Sequence, residues 1–245
     1  MFHVKHLGDI EQARNVIALG AAEMGVSLSD RQLSQVVAHL EAVLAAAGDF
    51  NLTTVREATP AARVHVLDSL AAAPYVEREA GGPIVDIGSG AGFPGIPLGI
   101  ACERTVVLLE SVRKKADFLR CVKEDLGLDA AVMGERAEEY GRREQARAPV
   151  AVARAVAALP VLVELARPLL TDSGVFLAYK GAPEREELER ADLAAKICGF
   201  EPPAMVELDV PGLGARRTLV VFRVAGPPRI DLPRRTGLAQ KRPLA

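Results

Sequence analysis

The chain has 245 residues, of which 49% are hydrophobic and 25% charged, with a net charge of −2. This composition is typical of a soluble globular protein of one or two domains and excludes a disordered or collagen-like chain. The longest uncharged run, 87–102, contains five glycines and two prolines and falls short of the roughly 20 apolar residues that a membrane helix needs. Cys102, Cys121 and Cys198 lie too far apart for a zinc motif or a disulfide framework, so we expect a cytoplasmic protein without a metal site. The three cysteines lie on predicted helices and are expected to pack in the hydrophobic core.

The N-terminal third of the chain is predicted to be helical. Ser29 can cap a helix, with Gln32 at capping-box spacing, and Gly48 is expected to end that helix. Thr59 and Pro60 predict the cap and the first-turn proline of a further helix. The apolar stripe of the first of these helices consists of Leu33, Val36, Val37, Leu40, Val43 and Leu44.

From residue 83 onward, short runs rich in β-branched residues alternate with helical stretches. This alternation predicts an α/β fold, a doubly wound and mainly parallel sheet of seven strands with helices on both faces. The last two strands are joined only by the turn 211–214, so they must pair as an antiparallel C-terminal hairpin. The predicted strands cover 83–87, 105–109, 130–133, 150–153, 175–179, 205–210 and 218–224, and the helices between them cover 94–102, 112–126, 136–145, 159–169 and 183–198.

Residues 229–245 form a basic tail with a net charge of +4. The other two predicted parts are an N-terminal helical extension, 1–80, and a core domain, 81–228. A basic segment on an acidic body is one sign of a polyanion partner such as nucleic acid, but charge alone favours a solvated chain end. The basic residues of the tail are Arg229, Arg234, Arg235, Lys241 and Arg242.

The most specific signal is VDIGSGAGFPG, Val85–Gly95, which follows a strand and opens a helix. Gly88, Gly90 and Gly92 allow a tight turn and a close approach of the backbone to a ligand. The glycines at 90, 92 and 95 also satisfy the dinucleotide spacing GxGxxG, and a purely structural turn is a further alternative. The spacing alone leaves these alternatives open.

The residues around this loop favour S-adenosylmethionine over a dinucleotide. Asp86 would repel a pyrophosphate, but its carboxylate suits a ligand that carries an ammonium group. Pro94 and Pro97 remove backbone donors that a pyrophosphate site uses. Glu110 ends the second strand, where an acid accepts hydrogen bonds from ribose hydroxyls, although it would serve a nicotinamide dinucleotide equally well.

This arrangement resembles the class I S-adenosylmethionine-dependent methyltransferases, whose Rossmann-like sheet also ends in an antiparallel hairpin. The chain is further similar to the bacterial 16S ribosomal RNA guanine-N7 methyltransferase G family (RsmG, also called glucose-inhibited division protein B). The motifs HxxDSL and GSGAGFPGIPL and the basic tail are specific to that family when they occur together. The matching segments are Asn51–Thr53, His65–Leu70, Val85–Pro97, Glu135–Glu138, Arg154-Ala155, Lys180-Gly181, Pro233–Gly237 and Lys241–Leu244.

The resemblance implies S-adenosylmethionine as cofactor and a guanine of 16S ribosomal RNA as substrate, within the small ribosomal subunit or its precursor. It places Ala137 and Glu138 near the adenine and Arg154 after the fourth strand. It also favours phosphate contacts from the tail, by Arg234, Arg235, Lys241 and Arg242. The resemblance also implies cofactor contacts at Gly88 and Phe93. Together with Gly90 and Glu110, argued from the motif, the expected cofactor-binding residues are Gly88, Gly90, Phe93, Glu110, Ala137, Glu138 and Arg154.

The residues that the sequence lacks narrow the reaction. An Asn/Asp-Pro-Pro-aromatic motif, usual for methylation of an exocyclic adenine amine, is missing after the fourth strand, where Ala153–Val156 stands. Methylation of a pyrimidine C5 requires a cysteine nucleophile, and no cysteine stands directly after the fourth or fifth strand. Guanine N7 has an in-plane lone pair and no proton, so the enzyme mainly aligns the two reactants and we predict no catalytic residue.

Three further residues have two readings each. His65 and Asp68, three residues apart, would orient the base or a phosphate, or form a helix-surface pair or a cap interaction. Lys180 would meet a phosphate or lie at the surface. Two alternatives to a methyltransferase also stay open from the residues alone: a nicotinamide-dependent oxidoreductase that uses the same loop, and a non-catalytic RNA-binding protein.

Overall fold

The computed structural model describes residues 2–50, 52–143 and 147–245. Within them lies a seven-stranded sheet. Its strands are β1 (Ile84–Ile87), β2 (Val106–Leu109), β3 (Ala130–Met133), β4 (Ala148–Arg154), β5 (Leu170–Lys180), β6 (Ala204–Leu208) and β7 (Arg217–Arg223).

The order of the strands is β3-β2-β1-β4-β5-β7-β6. Strands β1 to β5 are parallel, whereas β7 runs antiparallel to both β5 and β6. The predicted parallel sheet and its antiparallel hairpin are therefore confirmed. Because β1 lies between β2 and β4, the chain reverses its direction across the sheet at β1. Open α/β sheets bind their ligands at such a switch point, at the carboxyl ends of the strands.

The helices cover both faces of the sheet and include an N-terminal group. The N-terminal helices are α1 (Phe2–Glu23), α2 (Asp30–Phe50), α3 (Ala58–Ala61), a π-helical turn (Ala62–Leu67), α4 (Asp68–Leu70) and α5 (Ala73–Glu77). The later helices are α6 (Gly95–Ala101), α7 (Arg113–Leu126), α8 (Ala137–Tyr140), α9 (Leu159–Ala166) with a 3₁₀ turn (Arg167–Leu169), α10 (Arg185–Cys198) and α11 (Leu238–Lys241).

Two apolar cores lie on opposite faces of the sheet. Along β4, Val150 and Val152 face one core, whereas Ala151 and Ala153 face the other, as the alternation of side chains in a strand requires. The N-terminal helices pack into the first core together with α6 and α7. The helical extension therefore shares a continuous core with the sheet, and the division of the chain at residue 80 stays a prediction. Within the described residues, no helix combines the length and apolar character required to span a bilayer.

Several sequence predictions for the helices need correction. The helix α2 begins with the predicted capping box, in which Ser29 and Gln32 exchange hydrogen bonds. It continues past Gly48 to Phe50, because the backbone of Gly48 never enters the left-handed region. The helix α3 begins before Thr59, at Ala58, whose N–H donates to Asp9 Oδ2.

The helix predicted over 136–145 also needs correction, because α8 ends at Tyr140. Residues 144–146 lie outside the described part of the chain, as does Asn51 of the first family motif. Cys198 is buried as expected, but Cys102 follows α6 half-buried and Cys121 is exposed on α7.

Candidate cofactor and methyl-transfer site

The glycine loop joins β1 to α6 at the switch point of the sheet. The N–H of Gly88 donates to the carbonyl of Leu109 at 2.9 Å, which holds the loop against the end of β2. Gly88, Gly90 and Gly92 have φ values of +70°, +56° and +92°, which residues with a Cβ adopt only under strain. A Cβ on Gly88 would also lie 2.7 Å from Val156 Cγ2. The loop therefore requires glycine in the tight turn that the sequence predicted.

Asp86 lies fully buried beneath this loop. Its Oδ2 accepts a hydrogen bond from the Gly95 N–H at 3.1 Å, whereas its Oδ1 is buried without a partner among the described residues. Burial raises the pKa of Asp86 to about 7. A buried carboxylate with an unused acceptor atom fits a positively charged group nearby, as expected for a ligand with an ammonium group.

Glu110 connects the two loops that follow β1 and β2. Its Oε2 accepts the Gly90 N–H at 3.0 Å and its Oε1 accepts the Val112 N–H at 2.7 Å. These bonds fix the orientation of the carboxylate, which is only 6% exposed, between the two loops. Because each carboxylate oxygen has a further lone pair, Glu110 retains the capacity to accept from ribose hydroxyls.

A cavity lies between the glycine loop, the loop after β3 and the start of α9. Ala137 and Glu138, which the resemblance places near the adenine, both line this cavity. Both side chains come from α8, which begins directly after the loop that follows β3. The C-terminal tail also borders this cavity, through Gly237, Ala239 and Gln240.

Phe93 forms the centre of an aromatic cluster on the other side of the loop. Its ring stacks on His65, with a centroid distance of 5.1 Å, and lies 4.5 Å from the ring of His39. The guanidinium carbon of Arg154 lies 5.5 Å from the Phe93 centroid, within the range of a cation–π contact. Phe93 and Arg154, two predicted cofactor residues from different strand ends, therefore meet at one place.

Both histidines of this cluster are held neutral. Burial is the main cause that lowers the pKa of each, to about 4. Nε2 of His39 bonds to the carbonyl of Ala91 at 2.8 Å, and Nε2 of His65 bonds to Oγ1 of Thr53 at 2.7 Å. The sequence analysis missed His39, although a histidine within the apolar stripe of α2 was a visible signal.

Asp68 organises the charges beside the aromatic cluster. Its Oδ2 accepts from Arg154 Nη1 at 2.7 Å and its Oδ1 accepts from Arg217 Nε at 2.8 Å. The Asp68 side chain is only 3% exposed. Asp68 thus joins α4 to the ends of β4 and β7, and the surface-pair reading does not fit it. The sequence analysis did not identify Arg217.

The basic tail is folded against the protein. Arg234 forms a two-bond ion pair with the buried Glu164 of α9, at 2.7 and 2.5 Å. Arg235, Lys241 and Arg242 are exposed. Lys180, a candidate phosphate contact, pairs with Glu187 at 2.7 Å. Of the four residues predicted to contact RNA, three are exposed, whereas the side chain of Arg234 is 20% exposed and paired with Glu164.

The residues around the switch point fit S-adenosylmethionine. Gly88, Gly90 and Gly92 form a tight turn between β1 and α6, Asp86 offers an unused carboxylate oxygen, and Glu110 holds its carboxylate against the Gly90 N–H. None of the described residues form a group of three or more His, Cys, Asp or Glu able to hold a metal ion.

Comparisons with known proteins identify the family of this chain. The model of a family described as rRNA small subunit methyltransferase G matches residues 32–219. The ribosomal RNA small subunit methyltransferase G of Pelotomaculum thermopropionicum is 41% identical over 230 residues, which cover 92% of this chain and 96% of the relative. That of Chloroflexus aggregans is 40% identical over 227 residues, which cover 90% of this chain and 93% of the relative.

Solved structures with low sequence identity show the same fold. A methyltransferase from Pyrococcus furiosus superposes with a TM-score of 0.54 at 14% identity, over 77% of this chain and 98% of that chain. A transferase from Pyrococcus horikoshii superposes with a TM-score of 0.52, also at 14% identity, over 64% of this chain and 63% of that chain.

The sheet, the glycine loop and the two acids at its strand ends define a class I S-adenosylmethionine-dependent methyltransferase, and S-adenosylmethionine is its cofactor. The chain belongs to the rRNA small subunit methyltransferase G family. The family resemblance, the fold class and the cofactor predicted from the sequence are confirmed. A nicotinamide-dependent oxidoreductase and a non-catalytic RNA-binding protein are not favoured.

Proposed function

We propose that this chain transfers the methyl group of S-adenosylmethionine to N7 of a guanine in 16S ribosomal RNA, within the small ribosomal subunit or its precursor. The observation that carries this proposal is the family match, which spans the glycine loop and the helices that supply His39, His65 and Asp68. The methyl-transfer end of the site is thus built jointly by the sheet and the N-terminal helices.

The chemistry of the site supports N7 as the acceptor. The cofactor supplies an electrophilic methyl group on a sulfonium, and N7 attacks it in line without losing a proton. The positive charge then moves onto the guanine ring. Because His39 and His65 are neutral at pH 7, they add no positive charge beside the product. The residues that stack and orient can therefore carry the reaction without a general base.

We assign the cofactor contacts to the residues that surround the switch point. Glu110 accepts from the ribose hydroxyls, and Asp86 supplies the negative charge beneath the loop for the ammonium group. Arg154, fixed by Asp68, stays beside Phe93. The full set of proposed cofactor-binding residues is Gly88, Gly90, Phe93, Glu110, Ala137, Glu138 and Arg154.

We assign the phosphate contacts to the exposed basic residues of the tail, Arg235, Lys241 and Arg242. They lie on the same short segment that borders the cavity with Glu138. Each should add to the salt dependence of RNA binding, since every phosphate contact releases counterions. Replacing one by glutamine is expected to shallow the log–log slope of affinity against salt by roughly 0.7–0.9.

Arg31 provides a matched control for this measurement. It is exposed near the start of α2, whose Gln32 bonds to the carbonyl of Ile100 at the far end of α6. Since α6 starts at the glycine loop, Arg31 lies at the other end of α6, away from the loop and the carboxyl ends of the strands. Arg31→Gln should leave the slope unchanged. Equal slopes for the wild type and the Arg235→Gln, Lys241→Gln and Arg242→Gln variants would contradict the assignment of the tail.

The reaction itself is tested with labelled methyl donor and small ribosomal subunits from cells that lack the modification. Digestion to nucleosides should place the label in 7-methylguanosine. A parallel reaction with protein-free 16S RNA distinguishes the assembled particle from naked RNA as the substrate. Label in another nucleoside, or transfer only to a protein, would refute the proposal.

A further inference from the structure

The C-terminal segment 234–242 is closed on itself and held against the core at its start, where Arg142 donates to the carbonyl of Arg234 at 3.1 Å and Arg234 pairs with Glu164. Nη2 of Arg234 donates to Glu164 Oε2 and also to the carbonyl of Arg242 at 2.8 Å. The same guanidinium therefore holds both ends of the segment. Its partner Glu164 is only 3% exposed and lies on α9. A two-bond ion pair with a buried carboxylate has a defined geometry, unlike the ion pairs of exposed lysines.

The pinned segment reaches the cavity of the cofactor site. The N–H of Gly237 donates to Glu138 Oε1 at 2.7 Å, and Gly237 has a φ of +77°. Ala239 is buried, and together with Gly237 and Gln240 it lines the same cavity as Gly88 and Glu138. The tail thus forms one wall of this cavity and orients one oxygen of Glu138.

We propose that Arg234 is a positioning residue of the cofactor site, which acts through Glu164 to hold segment 234–242 as a wall of the adenosine pocket. This inference rests on the proposed function for the place of the adenosine beside Glu138. Because the Gly237 N–H donates to Oε1 of Glu138, the carboxylate keeps a single orientation. The position of its other oxygen, Oε2, is thereby fixed as well. Arg234 thereby lowers the entropy that the pocket loses when the cofactor binds.

The same segment carries the exposed Arg235, Lys241 and Arg242. RNA phosphates that bind these side chains favour the closed segment, and so does a cofactor in the pocket. Two ligands that favour one arrangement strengthen each other's binding, and the coupling is reciprocal. RNA and cofactor affinities should therefore be linked through the segment.

The test compares the binding of S-adenosylhomocysteine to three variants by isothermal titration calorimetry. Arg234→Ala should raise the dissociation constant by about tenfold, within the usual range for coupled sites. Arg234→Lys should restore part of the affinity, because a lysine still reaches Glu164 with one bond. The matched control is Arg229→Ala, five residues earlier in the chain and exposed, which should bind S-adenosylhomocysteine like the wild type.

Kinetics separate positioning from general damage. Arg234→Ala should raise KM for S-adenosylmethionine more than it lowers kcat, whereas partial unfolding would lower kcat through the active fraction and leave KM unchanged. A wild-type dissociation constant in folded Arg234→Ala would overturn the proposal.

A measurement on the unchanged protein keeps the proposal testable if the variant does not fold. S-adenosylhomocysteine should slow amide hydrogen exchange across residues 236–240, above all at Gly237. Unchanged exchange in this segment at saturating ligand would also overturn the proposal. Wild-type protein that binds no S-adenosylhomocysteine would instead refute the cofactor site itself, so the two failures are distinguishable.

Discussion

Replacing Asp86 by asparagine is expected to stabilise the protein at neutral pH and to weaken cofactor binding. Burial raises the pKa of Asp86 from 3.8 to about 7. An acid whose pKa is higher in the folded state lowers the free energy of unfolding as pH rises from the unfolded to the folded pKa. The difference between these two values corresponds to about 4 kcal/mol, lost between about pH 4 and pH 7. Asparagine keeps an oxygen for the Gly95 N–H but cannot ionise.

Urea unfolding followed by circular dichroism at pH 5 and pH 8 measures this effect. The stability advantage of Asp86→Asn over the wild type should grow by about 3 kcal/mol between these pH values. Asp117→Asn, at an exposed position of α7, is the matched control and should show the same small difference at both. An advantage of Asp86→Asn that does not change with pH would refute burial of the carboxylate as its source. At pH 8, weaker binding of S-adenosylhomocysteine is expected because the ammonium group loses its negative partner.

Two further changes test the cluster beside the glycine loop. Asp68→Asn removes the charge shared by Arg154 and Arg217. The free energy of unfolding should fall by about 3–5 kcal/mol, because both arginines lose a buried partner. Urea midpoints measure this change, and an unchanged midpoint would contradict it. Acidification from pH 6.5 to pH 4 should destabilise the protein, because burial lowers the pKa of His39 to about 4 and only the unfolded chain takes up the proton. His39→Asn should remove about 3 kcal/mol of this pH dependence in the same unfolding experiment, and identical profiles for the two proteins would argue against a neutral His39.

The switch-point loop shows how far local patterns reach. Val85–Gly95 predicted a strand, a tight glycine turn and a helix. The observed ends of β1 and α6 lie no more than one residue from the predicted ends. The signals were local, because hydrophobic runs and positive φ values depend on neighbouring residues. The hairpin of β6 and β7 was equally readable from its short turn.

Pairs of polar residues that are distant in the chain were not readable in this way. Arg234 was predicted to contact RNA because a run of basic residues at a chain end carries no sign of an internal partner. Its partner Glu164 stands 70 residues earlier, within an apolar helix. Asp68 and Arg217 illustrate the same limit, since they form an ion pair although 149 residues separate them in the chain.

Composition, periodicity and the turn residues were thus enough for the fold class and the order of elements, since each depends on interactions between residues that are close in the chain. The cofactor required the family resemblance as well, because the residues alone left a nicotinamide dinucleotide open. The partners of the charged and imidazole side chains depend on which helix packs on which face of the sheet. Packing removes Asp68, Glu164 and His39 from water, and a buried polar group must then find whatever partner the fold brings near. For this reason the same residue types that looked like surface charges in the sequence form the framework of the site in the folded protein.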